Sequence, residues 1–346
     1  LAEHPIDKIE FENITPDKNN NWINISENNW EGLIPLYSKE VKGGKSNEAI
    51  FKFFSLGMKT NRDEWVLDFS TKNLENKMNF HIEKYKEELL RISGKVNEKN
   101  IGDLVNYEIK WTRKLKRLFL NREKIVFHAS QIIPSLYRPF SLQYLYFSKE
   151  LNEDANQVRA IFSETGKETN HTIIISGTPL SKPFQLYVTN IMYHHDTLEK
   201  TQGLPLYRFS TSGQKTDNIT DWGLYQFQQH YHAGKADLNK YLEDYYRHVL
   251  GKERKKGGVV SELPPIFKED IFHYVYAVLH HPAYRKKYGL NLKREFPRIP
   301  FYDNFWQWAK WGKQLMDLHI GYETATPYPL ELRHSGPDPE SLPKKE

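Results

Sequence analysis

Residues 135–148 read SLYRPFSLQYLYFS. The stretch contains two runs rich in aromatic and aliphatic residues, and Pro139 lies between them. Short runs of this kind, separated by Pro, Gly, Asn or Ser, are typical of β-strands. The same pattern of short apolar and aromatic runs is found in IVFHAS (125–130), HTIIISG (171–177), FQLYVTN (184–190) and LPLYRFS (204–210). We therefore predict a strand-rich region from about residue 125 to residue 210.

The segments on either side of this region show helical periodicity. Apolar residues recur at a period near 3.6 in residues 73–93, and the stretch 101–122 is also predicted to be helical. Beyond residue 218 helices return, with apolar stripes in 271–279 and 305–316, and Asp303 is predicted to be the N-cap of the second. The expected fold class is α+β, with a strand-rich core and a helical C-terminal subdomain.

The composition describes a folded protein with a large core. The chain has 346 residues, of which 27% are charged and 14% aromatic, and it contains no Cys. The lack of Cys excludes disulfides, thiolate zinc sites and a cysteine nucleophile. No apolar run approaches the roughly 18 residues of a membrane span, and no leader peptide is visible, so we expect a cytoplasmic protein without membrane contact. The first residues, LAEHPIDKIE, lack Met and suggest a piece of something longer.

Sequence motifs of common catalytic sites are missing. The chain has no GxxxxGK[ST] or GxGxxG loop, no NPPY or DPPY tetrapeptide of amino-methyltransferases, and no GxSxG elbow. Adjacent histidines such as His194–His195 and His280–His281 do not have the i, i+3 or i+4 spacing of helical metal ligands. We therefore expect neither catalytic residues nor a metal site.

Positive charge is clustered more than the formal net charge of +5 indicates. Residues 110–124, KWTRKLKRLFLNREK, carry seven Lys and Arg against one Glu, and further basic clusters lie at 252–256 and 285–298. Such clusters suit a polyanion, most commonly a nucleic acid, although Lys-rich helix faces are often merely solvated.

The stretch 55–66, SLGMKTNRDEWV, places many hydrogen-bonding groups between two strand-like runs, AIFKFFSLG (49–57) and EWVLDFS (64–70). It is either a surface hairpin loop or a loop that holds a polar, anionic partner.

A series of motifs in a fixed order carries a family resemblance. The series is SLGMKTNRDEWV (55–66), SLYRPF (135–140), LYFSKELN (145–152), LPLYRF (204–209), NIT (218–220), EDIFHYVYAVLHHPAYRKKY (269–288), LKREFPRIPF (292–301) and FWQWAKWGKQLMDLHIGYE (305–323). Over roughly residues 10–330 the chain resembles the C-terminal target recognition region of type ISP restriction–modification enzymes. Residues 234–262 depart from that pattern as an apparent insertion.

The resemblance implies a DNA-recognition core that reads a short asymmetric site in double-stranded DNA. It also implies an adenine-N6 methyltransferase and a coupler domain of the same polypeptide as partners. S-adenosylmethionine, ATP and Mg would serve those other domains, and no cofactor is expected in this segment. Residues 1–124 would join the methyltransferase, 125–217 would form the recognition core, 218–323 the helical subdomain and 324–346 a loose tail.

The resemblance also guides the choice of DNA-binding residues. Stretches shared by enzymes that read different sequences are expected to contact phosphates or to shape loops, whereas base readers should lie where the resemblance is least. The first group is Lys59, Thr60, Arg62 and Arg138, with Gly57 permitting close approach of a phosphate. Asn61 of the same loop is also a DNA-binding candidate, since its amide can pair with adenine. The second group is Lys167, Asn170, Thr178, Ser181 and Lys182, followed by Gln214 and Lys215.

The sequence is also compatible with three other functions. A sequence-nonspecific nucleic-acid-binding protein would use the same basic and aromatic residues. A domain-coupling module would have no affinity for DNA. A methyltransferase with diverged motifs would bind S-adenosylmethionine.

Overall fold

The computed structural model describes residues 29–92, 94–233, 237–253 and 263–327, together with residues 16 and 329. These residues have the mixed α+β fold predicted from the sequence. The helices in these ranges are α1 (Lys39–Lys42), α2 (Asp63–Val66), α3 (Thr71–Arg91), α4 (Ile101–Leu104), α5 (Arg113–Leu120), α6 (Arg159–Phe162), α7 (Asp221–His232), α8 (Leu238–His248), α9 (Lys268–His280), α10 (Pro282–Lys287), α11 (Gly289–Arg294) and α12 (Phe305–Ile320). The strands are β1 (Ile34–Pro35), β2 (Ser55–Leu56), β3 (Leu67–Asp68), β4 (Ile132–Arg138), β5 (Ser141–Tyr146), β6 (Thr172–Ile175), β7 (Leu186–Thr189), β8 (Met192–Tyr193), β9 (Gln202–Pro205), β10 (Tyr207–Phe209), β11 (Lys215–Asp217) and β12 (Arg298–Ile299).

Two four-stranded sheets organise the strands. One has the order β2-β9-β6-β7 and is antiparallel throughout. The other has the order β3-β5-β4-β8, in which only β4 and β8 run parallel. The pairs β1–β12 and β10–β11 form separate two-stranded ribbons. Both four-stranded sheets draw one short strand from residues 55–68, so this segment holds the two sheets together.

Strand β6 separates two hydrophobic cores. Ile173 and Ile175 point into a core shared with the C-terminal helices, and Ile174 points into a core shared with α3, α5 and β5. Successive side chains of a strand point to opposite faces. Since both faces are covered, the strand is a continuous apolar run, which explains the sequence HTIIISG.

The helix predicted from residues 73–93 is confirmed as α3. Ser70 caps it by accepting a hydrogen bond from the Asn73 amide, and Leu74, Met78 and Ile82 are buried as the periodicity predicted. The single helix predicted for 101–122 is wrong, because the chain forms α4 and α5 with extended backbone at Val105 and Thr112. The Thr112 hydroxyl accepts from the Leu115 amide, so a cap interrupts the pattern there.

Three strand predictions also differ from the structure. In AIFKFFSLG only Ser55 and Leu56 form a strand, β2. In EWVLDFS the first residues form α2, because the amides of Trp65 and Val66 bond back to the Arg62 carbonyl. The run IVFHAS forms no strand, and its last residues enter a 3-10 turn at Ala129–Gln131. The runs around β4, β5, β6, β7, β9 and β10 are confirmed as strands.

The C-terminal helices α9 and α12 pack closely against each other. Gly312 permits this contact, since a Cβ at that position would lie 1.8 Å from the His273 carbonyl oxygen. The prediction that Asp303 is the N-cap of α12 is wrong. Asn304 precedes the helix, and Asp303 pairs with Lys240 over 2.6 Å.

The expected insertion at 234–262 contributes α8 to this helical part. The Asp244 carboxylate accepts hydrogen bonds from the amides of Trp306 and Gln307 at 2.6 and 3.2 Å, and it thereby caps α12. Residues 254–262, with Arg254, Lys255 and Lys256 of the second basic cluster, lie outside the described residues, as does most of the expected tail at 324–346. The domain boundaries stay a prediction.

Candidate nucleic-acid interface

A surface groove of about 660 Å³ collects part of the first group of predicted residues. Its lining includes Lys59, Thr60, Asn61 and Arg138, together with Lys110, His194 and His195. The charges in this lining are balanced, with the three cations Lys59, Lys110 and Arg138 against the three carboxylates Asp63, Glu64 and Asp196. We call it the opening-loop groove. A ligand in this groove would therefore be bound mainly by hydrogen bonds from the polar lining and less by a net positive charge.

The two family motifs that form this groove are bonded to each other. The Tyr137 hydroxyl donates to Oδ2 of Asp63 over 3.0 Å, and the Thr60 hydroxyl donates to Oδ1 of the same carboxylate. Arg138 lies on the Tyr137 ring, with its guanidinium carbon 4.0 Å from the ring centre, and bonds the Tyr137 carbonyl at 2.8 Å. The half-buried Arg138 therefore packs on Tyr137 and also lines the groove.

Arg62 is fully buried, in contrast to its exposed neighbour Asn61. Its guanidinium bonds the Thr112 hydroxyl and lies 3.4 Å from Nε2 of His81. Burial lowers the pKa of Arg62 to about 10, and burial together with the Arg62 charge lowers the pKa of His81 to about 3, so the neutral ring can accept from the guanidinium. This position favours the architectural role left open for Arg62, since it joins the loop to α3 and to the start of α5.

Gly57 is explained by packing within the chain. A Cβ there would lie 2.3 Å from the His194 carbonyl carbon. Residue 58, next to the glycine, is hydrogen-bonded to residues 193–195. The Met58 amide donates to the Tyr193 carbonyl, and the His195 amide donates to the Met58 carbonyl. Gly57 therefore lets the backbone of residues 194–195 approach closely, which explains the glycine without a phosphate.

The last two predicted base readers lie on an exposed ribbon. Strands β10 and β11 pair in antiparallel register, and residues 210–217 are exposed throughout. Gln214 is in the connecting turn, where its amide bonds the Ser210 hydroxyl and Gly213 adopts φ +82°. The Lys215 ammonium lies 3.7 Å from the centre of the Tyr207 ring. We call residues 207–217 the reading hairpin.

Asn170 is a base-reader candidate that the structure places in the interior. Its side-chain amide donates to the carbonyls of Ile161 and Tyr207 at 3.0 and 2.8 Å, and its oxygen accepts from the Tyr207 amide at 3.3 Å. Asn170 thus fastens the base of the reading hairpin to α6. Lys167 is exposed beside α6, in a pocket that Arg159 and Lys149 also line.

The remaining candidates form a third location. Ser181 and Lys182 donate their backbone amides to the Glu199 carboxylate at 3.0 and 3.1 Å. Thr178 is half-buried in the same loop, and Lys200 donates to the Pro179 carbonyl at 3.0 Å. The predicted residues therefore fall into three regions: the opening-loop groove, the reading hairpin with its α6 neighbour, and this Glu199 loop.

Comparison with known protein families shows the family to which the chain belongs. A family model described as the type ISP C-terminal specificity domain matches residues 49–345. The chain belongs to this family. No curated protein matches its sequence. The family description names a specificity module, in agreement with the prediction that the segment is a part of a restriction–modification enzyme rather than its catalytic centre.

Solved structures resemble this specificity domain over nearly its whole length. A cryo-EM structure of a DrdV–DNA complex is 39% identical with a TM-score of 0.75, and the match covers 98% of this chain and 31% of that one. A nuclease-deletion mutant of the type ISP enzyme LlaGI, in complex with a DNA substrate mimic, is 31% identical with a TM-score of 0.69 and coverages of 94% and 26%. The ATP-dependent type ISP enzyme LlaBIII bound to DNA is 26% identical with a TM-score of 0.68 and coverages of 92% and 18%. The chain spans less than a third of each of these longer proteins.

Several groove residues of the specificity domain were not singled out as site residues from the sequence. Lys110 and His195 line the opening-loop groove, and Arg113 lines the neighbouring pocket with Lys59 and Asn61. The signal for Lys110 and Arg113 was present in the basic run 110–124. His195 carried no comparable signal, because its position depends on the backbone pairing of residues 57–58 with 193–195.

The described ranges lack two further features, a cluster of metal ligands and a membrane-spanning helix. Among those residues, no group of three or more His, Asp or Glu is placed to hold a metal ion. Nor does any helix there combine the length and apolarity needed to cross a membrane.

Proposed function

We propose that this chain reads a short asymmetric sequence in double-stranded DNA as the specificity module of a type ISP restriction–modification enzyme. The family assignment supports this function, and so do the DNA-bound relatives with which the chain shares its fold. Within that function, the chain selects the site, and other domains carry out adenine-N6 methylation and translocation-coupled cleavage.

The observation that carries the proposal is the reading hairpin, an exposed ribbon on a rigid base. The major groove of B-DNA accommodates a two-stranded β-ribbon, whose side chains can bond base edges. The tip of this hairpin is polar and uncharged, with Thr211, Ser212 and Gln214 supplying donors and acceptors. A Gln amide at such a tip can make the paired hydrogen bonds that adenine offers in that groove.

The base of the hairpin is held from three directions. Buried Asn218 donates to the carbonyls of Phe53 and Pro205 at 2.9 and 2.8 Å, and Lys268 bonds Asp217 at 3.4 Å. Asn170 fastens the β10 side to α6. A reader on a fixed support loses little conformational entropy on binding, which favours specificity.

The opening-loop groove and the Glu199 loop have supporting roles in this proposal. Lys59, Asn61 and Arg138 hold the register of the duplex by contacts to its sugar–phosphate backbone, and Thr178, Ser181 and Lys182 extend the contact surface. Thr60 and Arg62 act by shaping the groove.

The proposal assigns the remaining chemistry to other parts of the enzyme. S-adenosylmethionine would serve the methyltransferase, and ATP with Mg would serve the translocating domain, so this chain needs no cofactor of its own. Its partners are DNA and the methyltransferase and coupler domains, and a cytoplasmic location follows from acting on cellular DNA.

The test is selection from a pool of random duplexes at about 100 mM salt, followed by sequencing of the bound fraction. An enriched asymmetric motif is the expected result. Binding without enrichment would instead favour a sequence-nonspecific module, and absence of binding would favour a domain-coupling role.

A further inference from the structure

Helix α5 presents a cationic face on a well-anchored support. Leu115, Leu118 and Phe119 are buried in the core, whereas Arg113 and Arg117 are exposed on the opposite side. The Arg113 side chain is 96% exposed. The charged side makes few contacts within the described chain: Arg113 lies 3.8 Å from the Glu153 carboxylate, and Lys114 donates to the Asn152 carbonyl at 2.9 Å.

The surface beside α5 is more positive than the opening-loop groove. A cleft of about 710 Å³ is lined by the four cations Arg113, Lys114, Lys116 and Arg117 and by only two carboxylates, Glu98 and Glu153. In the opening-loop groove the numbers are three and three. Clefts lined mainly by one sign of charge concentrate counter-ions, so the α5 cleft is the better anion site of the two.

The two clefts are joined through shared residues. A smaller pocket between them is lined by Lys59, Asn61 and Lys110 of the opening-loop groove and by Trp111, Arg113 and Glu153 of the α5 cleft. A backbone that follows this surface would pass from the opening loop to α5 without leaving protein contact.

Buried Arg62 fixes the position of α5 relative to the opening loop. Its guanidinium bonds the Thr112 hydroxyl, and the same hydroxyl accepts from the Leu115 amide at the start of the helix. The start of the α5 backbone, which carries these cations, is therefore held in place before any ligand arrives, and this reduces the entropic cost of contact.

From this geometry we propose that the exposed face of α5, with Arg113 and Arg117 at its centre and Lys110 at its edge, is a sequence-independent contact for the DNA sugar–phosphate backbone. This proposal rests on the proposed function and deepens it, because it separates a phosphate-binding surface from the reading hairpin. The exposed cations contact phosphates as charges, and binding there releases condensed counter-ions.

The experiment compares double variants of the full chain on the selected duplex and on a scrambled duplex across a salt series. Arg113→Ala with Arg117→Ala removes two charges, and Arg113→Lys with Arg117→Lys keeps them. The matched control is Lys310→Ala with Lys313→Ala, two exposed cations of α12, a helix that packs in the other core and lies outside the basic clusters. Thermal unfolding of each variant establishes that the fold is retained.

We expect the alanine pair to weaken binding of both duplexes by the same factor. It should reduce the slope of log K against log salt by about 1 for each lost contact, whereas the lysine pair should keep the slope. An unchanged slope and affinity in the alanine pair would overturn the proposal while leaving the proposed function intact. A loss confined to the selected duplex would also overturn it, since that is the behaviour of a base reader. If the unaltered chain binds neither duplex, the proposed function and this proposal fail together.

Discussion

Tyr137 donates its phenolic hydrogen bond to Oδ2 of Asp63 over 3.0 Å, across 74 residues of sequence. The bond joins the end of β4 to the first residue of α2 and brings two family motifs to one groove. Burial, and after it the Asp63 charge, raise the pKa of Tyr137, so the phenol stays protonated and remains a donor at neutral pH.

Removing this hydroxyl should loosen the opening loop. We expect Tyr137→Phe to lower the free energy of unfolding by about 1 kcal/mol, because Asp63 loses a donor in a partly buried position. Denaturant unfolding measures the difference. Tyr144→Phe is the matched control, since Tyr144 lies on neighbouring β5, is exposed, and makes no hydrogen bond through its hydroxyl within the described residues. Equal stability of the two variants would contradict a structural role for the bond.

Replacing Arg62 should lower the stability of the fold, whereas replacing Lys59 should weaken DNA binding. We expect Arg62→Met to cost about 2 kcal/mol or more, because the Thr112 hydroxyl and His81 lose their buried partner. The salt dependence of DNA binding by the folded variant should stay unchanged. Lys59→Met, at a half-buried position of the same loop, should keep the stability and reduce the salt slope. A flatter slope in Arg62→Met without a loss of stability would instead place the guanidinium on DNA.

Gln214 should determine base preference at one position of the site. We expect Gln214→Ala to reduce discrimination there by about 1–3 kcal/mol while the affinity for scrambled DNA is retained. Competition binding with single-base variants of the selected duplex measures this change. Gln226→Ala on α7 serves as the control for loss of a glutamine. A uniform loss over all duplexes would assign Gln214 to the backbone rather than to bases.

Asp244 should make stability depend on pH. Burial is the main cause that raises its pKa to about 6, against the two helix amides that lower it. The folded state then binds a proton more tightly than the unfolded state, whose Asp has a pKa near 3.9. The contribution of Asp244 to the free energy of unfolding is therefore greatest below about pH 4. It decreases by up to about 3 kcal/mol as the pH rises to about 6.

The difference between the unaltered chain and Asp244→Asn isolates this effect. The amide oxygen can still accept from Trp306 and Gln307 but does not titrate, so the difference in unfolding free energy should vary between pH 4 and pH 6. His248 lies 3.5 Å from the carboxylate, and burial is the main cause that lowers the pKa of His248. Asp244→Ala should be about 1 kcal/mol less stable than Asp244→Asn because it loses the cap. A constant difference across this range would show that Asp244 stays ionised.

Much of the fold could be predicted because its signals are local. The apolar stripe of α3 with its Ser70 cap, the stripe of α9 and the aromatic runs of β4 and β5 each indicate their own structure, since each must bury one face wherever it packs. The same reasoning failed at residues 101–122, where side-chain bonds of Thr112 stop the helical pattern that the composition favoured.

The candidate site was only partly predictable. The motif order identified the family, and the structure places the predicted residues Gln214 and Lys215 on an exposed ribbon. Asn170 and Arg62 have the side chains of DNA readers, yet both are buried, because their partners are the Tyr207 backbone in one case and Thr112 and His81 in the other.

The sequence by itself therefore determined the fold class, the main helices and strands, and the family to which the chain belongs. Tertiary structure alone decided which polar residues face outward, how Asp63 meets Tyr137, and how Asp244 of the expected insertion caps α12. The physical reason is the range of the interactions: periodicity and capping act within a few residues, whereas a buried polar group is satisfied by partners far along the chain that no local pattern specifies.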